Sequence, residues 1–286
     1  YQGSGGLNQA FLSFGVPLFK YFTTGITVNY GFGTLLYRTS QFKENVNLGT
    51  FLSNSSSLSG LNYQVSINAK IPIKKHYFLR FMYSIEPSSD FNSRNERIIY
   101  TQDINGTRIS DFEEVNLDLI GETETKLSLS EKRKFGFGFG KSKKWFVGSE
   151  ITAMNSSVFS NDLIDIENSK FEDSYLLSLG GFYIPDYASF NRFFDRVVYR
   201  SGIYFEQTGL NINDQSINEF GISFGVGIPV GRFFSNANLA FEWGQRGTTA
   251  SNLLKEPINN INIRVQPWIG GNYIMKREVA LKYPYY

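Results

Sequence analysis

Apolar and polar residues alternate with a period of two over long stretches of this sequence. From Leu61 to Ile73 every second residue is apolar, and most of the residues between them are polar. Such alternation indicates a β-strand with one apolar face. The pattern recurs at Tyr77–Ile85, Phe220–Val230 and Phe233–Trp243. The fold class is therefore predicted to be all-β.

The length of these segments favours a membrane barrel over a soluble β-sandwich, the alternative that also has alternating strands. Soluble strands are usually about 5–6 residues long, whereas a tilted strand needs about 9–11 residues to cross a bilayer. An Arg or Lys in the lipid-facing centre costs about 2–4 kcal/mol, so Lys70, Arg80 and Arg200 are expected to point inward. We predict a transmembrane antiparallel β-barrel whose apolar face contacts membrane lipids.

Eleven spanning strands are predicted, and the connections between them alternate in length. Short turns at 18–21, 74–76, 141–143 and 230–232 are assigned to the periplasm, and long polar connections at 39–59, 88–125, 156–171 and 247–256 to the exterior. Connections 185–195 and 208–216 fit this alternation less well. Asn105-Gly106 predicts a hairpin within the 88–125 connection. The predicted strands are Leu7–Pro17, Phe22–Arg38, Gly60–Ile73, Tyr77–Pro87, Lys126–Gly140, Lys144–Asn155, Glu172–Ile184, Arg196–Gln207, Ile217–Pro229, Phe233–Arg246 and Pro257–Pro267.

Composition argues against several other classes of protein. The chain has no Cys and a single histidine, His76, in the turn Lys74-Lys75-His76, so thiol and triad chemistry lack their residues. There is no G-x-S-x-G elbow or phosphate loop, and a net charge of +2 gives no attraction for nucleic acid. We expect neither catalysis nor a cofactor nor a metal site.

The odd number of strands bears on domain organisation. Bacterial single-chain barrels have even strand counts, so residues 1–286 are expected to form one barrel domain that lacks an odd number of strands. The alternative is a miscount by one, with a complete barrel of ten or twelve strands. Residues 268–286 are a candidate periplasmic tail.

Five stretches are informative when they are read together. They are GSGGLNQAFLSFGVPL, KRKFGFGFGKSKKWFVGSEITA, LSLGGFYIPDY, RVVYRSGIYFEQTGLNINDQSINEFGISFGVGIPVG and SNANLAFEWGQRGTT. In order and spacing they resemble the long-chain fatty acid transporter (FadL) family of outer-membrane barrels, which includes PorV-like relatives. The resemblance implies fourteen strands with an N-terminal plug in the lumen, and by this comparison the chain is expected to lack the plug and the first strands. It also implies location in the outer membrane of a Gram-negative bacterium.

Inward-facing residues are the candidate ligand-binding group. The alternation places these residues, and Glu219 with them, inside the barrel. Their charged groups form either an internal ion-pair network or a site in which an arginine binds a carboxylate headgroup while aromatic residues contact the tail of the ligand. Two tryptophans are expected at the membrane interface, Trp145 and Trp243. The lumen candidates are Arg200, Arg246, Glu242, Glu150, Glu206, Phe182 and Tyr204.

Two functions remain open at this point. The FadL resemblance implies passive uptake of hydrophobic small molecules such as long-chain fatty acids. The alternative is a non-catalytic barrel subunit of a large outer-membrane complex for secretion or protein assembly, as in PorV-like relatives. The expected partners are membrane lipids and, depending on the function, a hydrophobic ligand or a large protein complex.

Overall fold

Fifteen β-strands form one antiparallel sheet in the computed structural model, which describes residues 2–43, 46–103, 105–155, 169–229 and 234–267. Within these residues no helix is long and apolar enough to cross a membrane. The candidate tail at 268–286 lies outside them. The strands are β1 (Gln2–Pro17), β2 (Phe22–Phe42), β3 (Leu48–Lys74), β4 (Tyr77–Glu86), β5 (Ser89–Asp103), β6 (Glu113–Glu114), β7 (Glu124–Leu129), β8 (Lys132–Lys141), β9 (Trp145–Met154), β10 (Ser169–Phe171), β11 (Ser174–Tyr183), β12 (Val198–Ile212), β13 (Gln215–Ile228), β14 (Phe234–Gly247) and β15 (Lys255–Pro267).

Eleven of these strands follow one another across the sheet, in the order β1, β2, β3, β4, β8, β9, β11, β12, β13, β14 and β15. They correspond one to one to the eleven predicted spanning strands. In the described residues β1 pairs only with β2, and β15 pairs only with β14.

The long strands carry the sheet beyond the membrane on one side. β3 has 27 residues, more than twice the roughly 9–11 that a spanning strand needs. Its second half pairs with β4 and its first half with β5, while β8 pairs with β4 and β7 with β5. The sheet therefore has a second tier, which we call the outer extension and define as residues 48–59 together with β5, β6 and β7.

The outer extension corrects two predicted loops. Residues 39–59 and 88–125 were expected to be long polar connections, but β2 reaches Phe42, β3 begins at Leu48 and β5 begins at Ser89. Residues 53–59 are Ser- and Asn-rich on both faces, so hydropathy does not alternate there, although both neighbouring strands pair with them. The predicted strand Lys126–Gly140 is also two strands, β7 and β8.

Two predicted connections change in opposite ways. The 208–216 connection is a tight hairpin, since Asn213 and Asp214 both have positive φ values, 52° and 59°, and β12 and β13 pair directly beside them. The 185–195 connection remains irregular and contains a short 3-10 turn at Phe194–Arg196. The turn at Asn105-Gly106 is confirmed, with the Thr107 carbonyl accepting the Asp103 N–H at 2.8 Å.

A small apolar core lies on the inner face, level with the outer extension. Leu58, Phe91 and Leu127 are buried, and they pack with the partly buried Leu7, Leu35 and Leu129. The Phe91 ring lies over Gly31 and Gly60, where a larger residue would collide with it. Burial of each such side chain contributes about 1.5–3 kcal/mol, so this core holds the two tiers of the sheet together.

Candidate functional site

The register of the strands sorts side chains into rows that cross the sheet. Because side chains alternate along a strand, paired residues share a face, and the outer rows are largely apolar. Leu179, Ile203 and Trp243 remain nearly half exposed, at 48%, 46% and 49%. This confirms that the apolar residues of different strands form one continuous outer surface. One such row contains Phe81, Phe137, Leu179, Ile203, Ile222 and Trp243.

The inner face holds a cavity of about 550 Å³. Its floor is a row of glycines on four neighbouring strands, Gly138, Gly148, Gly180 and Gly202. At these four positions the wall contributes no side chain of its own to the cavity. The volume is within the range of about 300–1,000 Å³ that is typical of small-molecule sites.

An aromatic row crosses the inner face beside this floor. The Phe146 ring stacks with Phe78 on one side and Phe182 on the other, with centroid distances of 6.0 Å and 6.1 Å. Phe146 also covers Gly138. The Lys70 ammonium lies 4.7 Å from the centre of the Phe78 ring. The row therefore offers an apolar strip with a cation at one end.

Arg200 is at the other end of this strip. Its Cα is paired with that of Phe182, and its Nη1 donates to Asn238 Oδ1 at 2.7 Å. The guanidinium lines the cavity, so a carboxylate bound to it would leave an aliphatic tail over Phe182 and Phe146. Arg200 and Phe182, two predicted candidates, are thus brought together by the fold.

Tyr204 links Glu242, one of the predicted carboxylates, with Glu219. Its hydroxyl oxygen lies 2.6 Å from Glu219 Oε1 and 2.9 Å from Glu242 Oε1, and Asn260 Nδ2 donates to Glu242 Oε2 at 3.0 Å. Its ring lies on Gly221. A tyrosine hydroxyl has one proton to donate, and the two carboxylate oxygens share it as acceptors.

The remaining lumen candidates lie elsewhere on the same face. Glu150 lines the cavity with Tyr204. Glu206 is opposite Glu219, which is opposite Arg246. Arg246 is six residues along β14 from the partner of Arg200, or about 20 Å, so the two arginines cannot serve one headgroup. Each of Glu150, Glu206, Glu219 and Glu242 has a polar or electrostatic partner.

The two tryptophans occupy different heights of the outer face. Trp145 begins β9 and packs edge-on against Phe139 and Tyr77, with centroid distances of 5.3 Å and 6.4 Å. The short Lys141–Lys144 turn is adjacent, which places Trp145 at the short-turn end of the wall. Trp243 lies two outer rows farther along, among apolar neighbours such as Ile222.

Phe78, Phe146 and Asn238 were not predicted as site residues. Trp145, Phe146 and Val147 are consecutive apolar residues, so alternation alone does not reveal which of them points inward. Only the strand register shows that Phe146 is the inward residue of the three, because it pairs Phe146 with the inward positions Phe182 and Gly140. The sequence of β8 contained a usable signal, because its alternating Phe and Gly residues show which face of β8 points inward. Pairing of β8 with β9 then assigns the inward face of β9.

Comparison with solved structures shows the fold. The toluene transporter TbuX of Ralstonia pickettii matches with a TM-score of 0.58 at 9% identity, over 93% of this chain and 69% of TbuX. The RagAB peptide importer matches with a TM-score of 0.47 at 11% identity, over 90% and 33%. OccK10 of Pseudomonas aeruginosa matches with a TM-score of 0.34 at 10% identity, over 96% and 90%. No curated protein matches the sequence.

The sheet with its apolar outer band, the likeness of fold to TbuX and a matching family model identify an outer-membrane β-barrel of a Gram-negative bacterium. The family model described as BamG matches residues 1–266. That match includes all eleven strands that cross the sheet. The chain therefore belongs to the BamG family.

Proposed function

We propose that this protein is a FadL-type barrel for passive passage of hydrophobic small molecules with a carboxylate headgroup, such as long-chain fatty acids. The observation that carries the proposal is the inner cavity lined by Arg200 and Phe146, together with the aromatic strip of Phe78, Phe146 and Phe182 that runs beside it. A cation beside an apolar strip matches an amphiphile at both ends. The likeness of fold to TbuX and the resemblance to the FadL family support the same role, which involves no catalysis.

Uptake measurements test this role. We expect expression of the full-length protein to raise oleate uptake in a strain that lacks its own fatty-acid uptake barrel. Arg200→Ala removes a charge-assisted hydrogen bond worth about 1.5–3 kcal/mol and is expected to lower uptake at subsaturating oleate by about tenfold or more. Arg133→Ala, at the exposed outer end of β8, is the matched control and should leave uptake unchanged. Wild-type protein without uptake activity, or undiminished uptake by Arg200→Ala, would contradict the proposal.

A second candidate function is a non-catalytic subunit of an outer-membrane protein complex. The observation that favours it is the exposed apolar surface between β5 and β7. Ile109, Phe112, Leu119 and Ile120 are all more than half exposed, and Leu119 is 83% exposed. These residues lie beyond the membrane tier of the sheet, where lipid does not cover them, and an exposed apolar patch marks an interaction site.

Purification in mild detergent distinguishes this second role from the first. A complex subunit is expected to carry a stoichiometric partner, and Leu119→Ser with Ile120→Ser is expected to release it while the barrel remains folded. Leu239→Ser, on the lipid-facing surface, serves as the control. A barrel that purifies alone with a bound amphiphile contradicts the complex role and supports transport.

A further inference from the structure

The outer face of the wall has a depression at one pair of small residues. Gly181 and Ser201 are cross-strand partners on the lipid-facing side, between Val147 and Phe224 in the same row. Leu179 and Ile203 pair in the next outer row on one side, and Tyr183 and Tyr199 pair in the next row on the other. Large side chains therefore surround a depression at Gly181, which has no side chain, and Ser201, which has a small one.

This depression belongs to a groove of about 1040 Å³. Most of its lining residues point outward by the register, and Val147, Leu179 and Phe224 are each about half exposed. The groove lies within the apolar outer band, so a hydrocarbon chain is the kind of ligand expected to bind in it. An acyl chain is the hydrocarbon that a bilayer supplies.

One end of the groove is bordered by aromatic residues and then by cations. Trp145, Tyr183 and Tyr199 form its last row, and the Lys144 carbonyl accepts the Ile184 N–H at 2.7 Å. The Lys143 ammonium lies 5.2 Å from the centre of the Tyr187 ring. Turns 141–144 and 185–196 contain five cations and two carboxylates. This is the short-turn end, which in outer-membrane barrels faces the periplasm.

The loop at this end has a fixed conformation. The Asp186 N–H donates to the Asp195 carbonyl at 2.8 Å, and the Asp186 carboxylate accepts the Ala188 N–H at 3.0 Å. The Tyr199 hydroxyl donates to the Phe194 carbonyl at 3.3 Å, which ties the loop to the outer face. The Asp186 carboxylate is therefore already engaged by a backbone N–H of the loop. The five cations of the two turns also outnumber the two carboxylates.

Arg196 adds an unsatisfied donor to the same corner. Its Nε is buried and has no hydrogen-bond partner among the described residues, and its guanidinium lies 5.8 Å from the centre of the Phe193 ring. A buried donor without an acceptor is costly. A phosphate oxygen is an acceptor of the charge and geometry that a guanidinium prefers.

We propose that this corner binds one anionic glycerophospholipid of the periplasmic leaflet. An acyl chain lies in the groove over Gly181 and Ser201, and the phosphate group contacts Lys143, Lys144 and Arg196. The excess of cations favours a headgroup with net negative charge over a zwitterionic one, whose own cation would meet the lysines. The inference concerns the outer face of the wall and holds for either function proposed above.

Native mass spectrometry of the full-length protein in mild detergent tests the lipid site. Phosphatidylglycerol and phosphatidylethanolamine with identical acyl chains are titrated separately. We expect one saturable phosphatidylglycerol adduct, with affinity at least about fivefold above that for phosphatidylethanolamine, since each nearby cation is worth about that factor. Ser201→Phe fills the groove and is expected to remove the saturable adduct of both lipids.

Two further variants distinguish recognition of the lipid headgroup from binding of the acyl chain. Lys144→Gln with Arg196→Gln is expected to abolish the preference for phosphatidylglycerol while a chain-dependent adduct remains. Lys20→Gln, in the β1–β2 turn at the same end of the sheet, is the matched control and should bind as the wild type does. Equal binding of both lipids, adducts that never saturate, or a protein partner at Ser201 in place of lipid would each overturn the proposal.

Discussion

Tyr204 shows how much a single inward side chain can organise. Its hydroxyl lies between carboxyl groups of β13 and β14, and its ring covers Gly221 of β13. Glu219 is only 8% exposed, so the carboxyl group depends on protein partners in place of water. The tyrosine thus joins three neighbouring strands across the inner face.

Removal of this hydroxyl is expected to destabilise the barrel. Tyr204→Phe leaves Glu219 and Glu242 side by side without their shared donor, at a cost of about 1–3 kcal/mol. Urea unfolding in lipid vesicles measures the change. Tyr83→Phe, on the lipid-facing side of β4, is the control and is expected to change stability by less than about 0.5 kcal/mol. Unchanged stability of Tyr204→Phe would show that the cluster contributes nothing to the wall.

At the scale of elements, the outer extension is the unusual part of the fold. β3 serves both tiers, because its two halves pair with different strands. The break between β4 and β5 occurs at Pro87, a residue that cannot donate to a ladder. The apolar core around Phe91 packs between the two tiers on the inner face.

Loss of the Phe91 ring is expected to loosen the outer extension. Phe91 is 3% exposed, and truncation of a buried Phe to Ala costs about 3–5 kcal/mol. We expect Phe91→Ala to make residues 105–123 sensitive to protease added to whole cells, while the membrane tier stays protected. Phe112→Ala, an exposed residue of the same region, should not increase cleavage. Equal protection in both variants would mean that strand pairing alone holds the extension.

In the whole molecule, the two faces of the sheet contact different environments, and their side chains differ accordingly. The outer rows between Tyr77 and Ile85 are apolar because lipid covers them, and the inner rows carry Gly, Ser and charged residues because the lumen is polar. The lysine-rich turn at 141–144 and the acid-rich segment at 105–124 lie at opposite ends of the strands. The protein is thus polarised both across its wall and along its axis.

Substitutions on opposite faces of the same wall are expected to differ in cost. Ile203→Arg places a cation in the lipid-facing centre, and we expect it to destabilise the barrel by about 2–4 kcal/mol. Ser178→Arg points into the lumen from the neighbouring strand and should cost much less. Equilibrium unfolding in vesicles compares them, and equal costs would contradict the assignment of faces.

Much of this architecture could be predicted from the sequence. The two-residue period identifies all eleven spanning strands and the inward direction of Arg200, Glu242 and Phe182, because lipid and water impose opposite preferences on alternate residues. It does not identify the outer extension, since residues 53–59 are nearly all Ser and Asn and show no contrast in hydropathy between the two faces. Pairing with β2 and β5 decides that these residues are strand.

Neighbours across the sheet are decided only by tertiary structure. Phe78, Phe146, Phe182 and Arg200 come from four different strands, and their common row exists because register brings distant segments level. A shift of one residue in any pair would move these side chains to the other face. The sequence alone determines which residues prefer lipid or water, and the strand register alone decides which of them meet to form a cavity, an aromatic strip or a lipid groove.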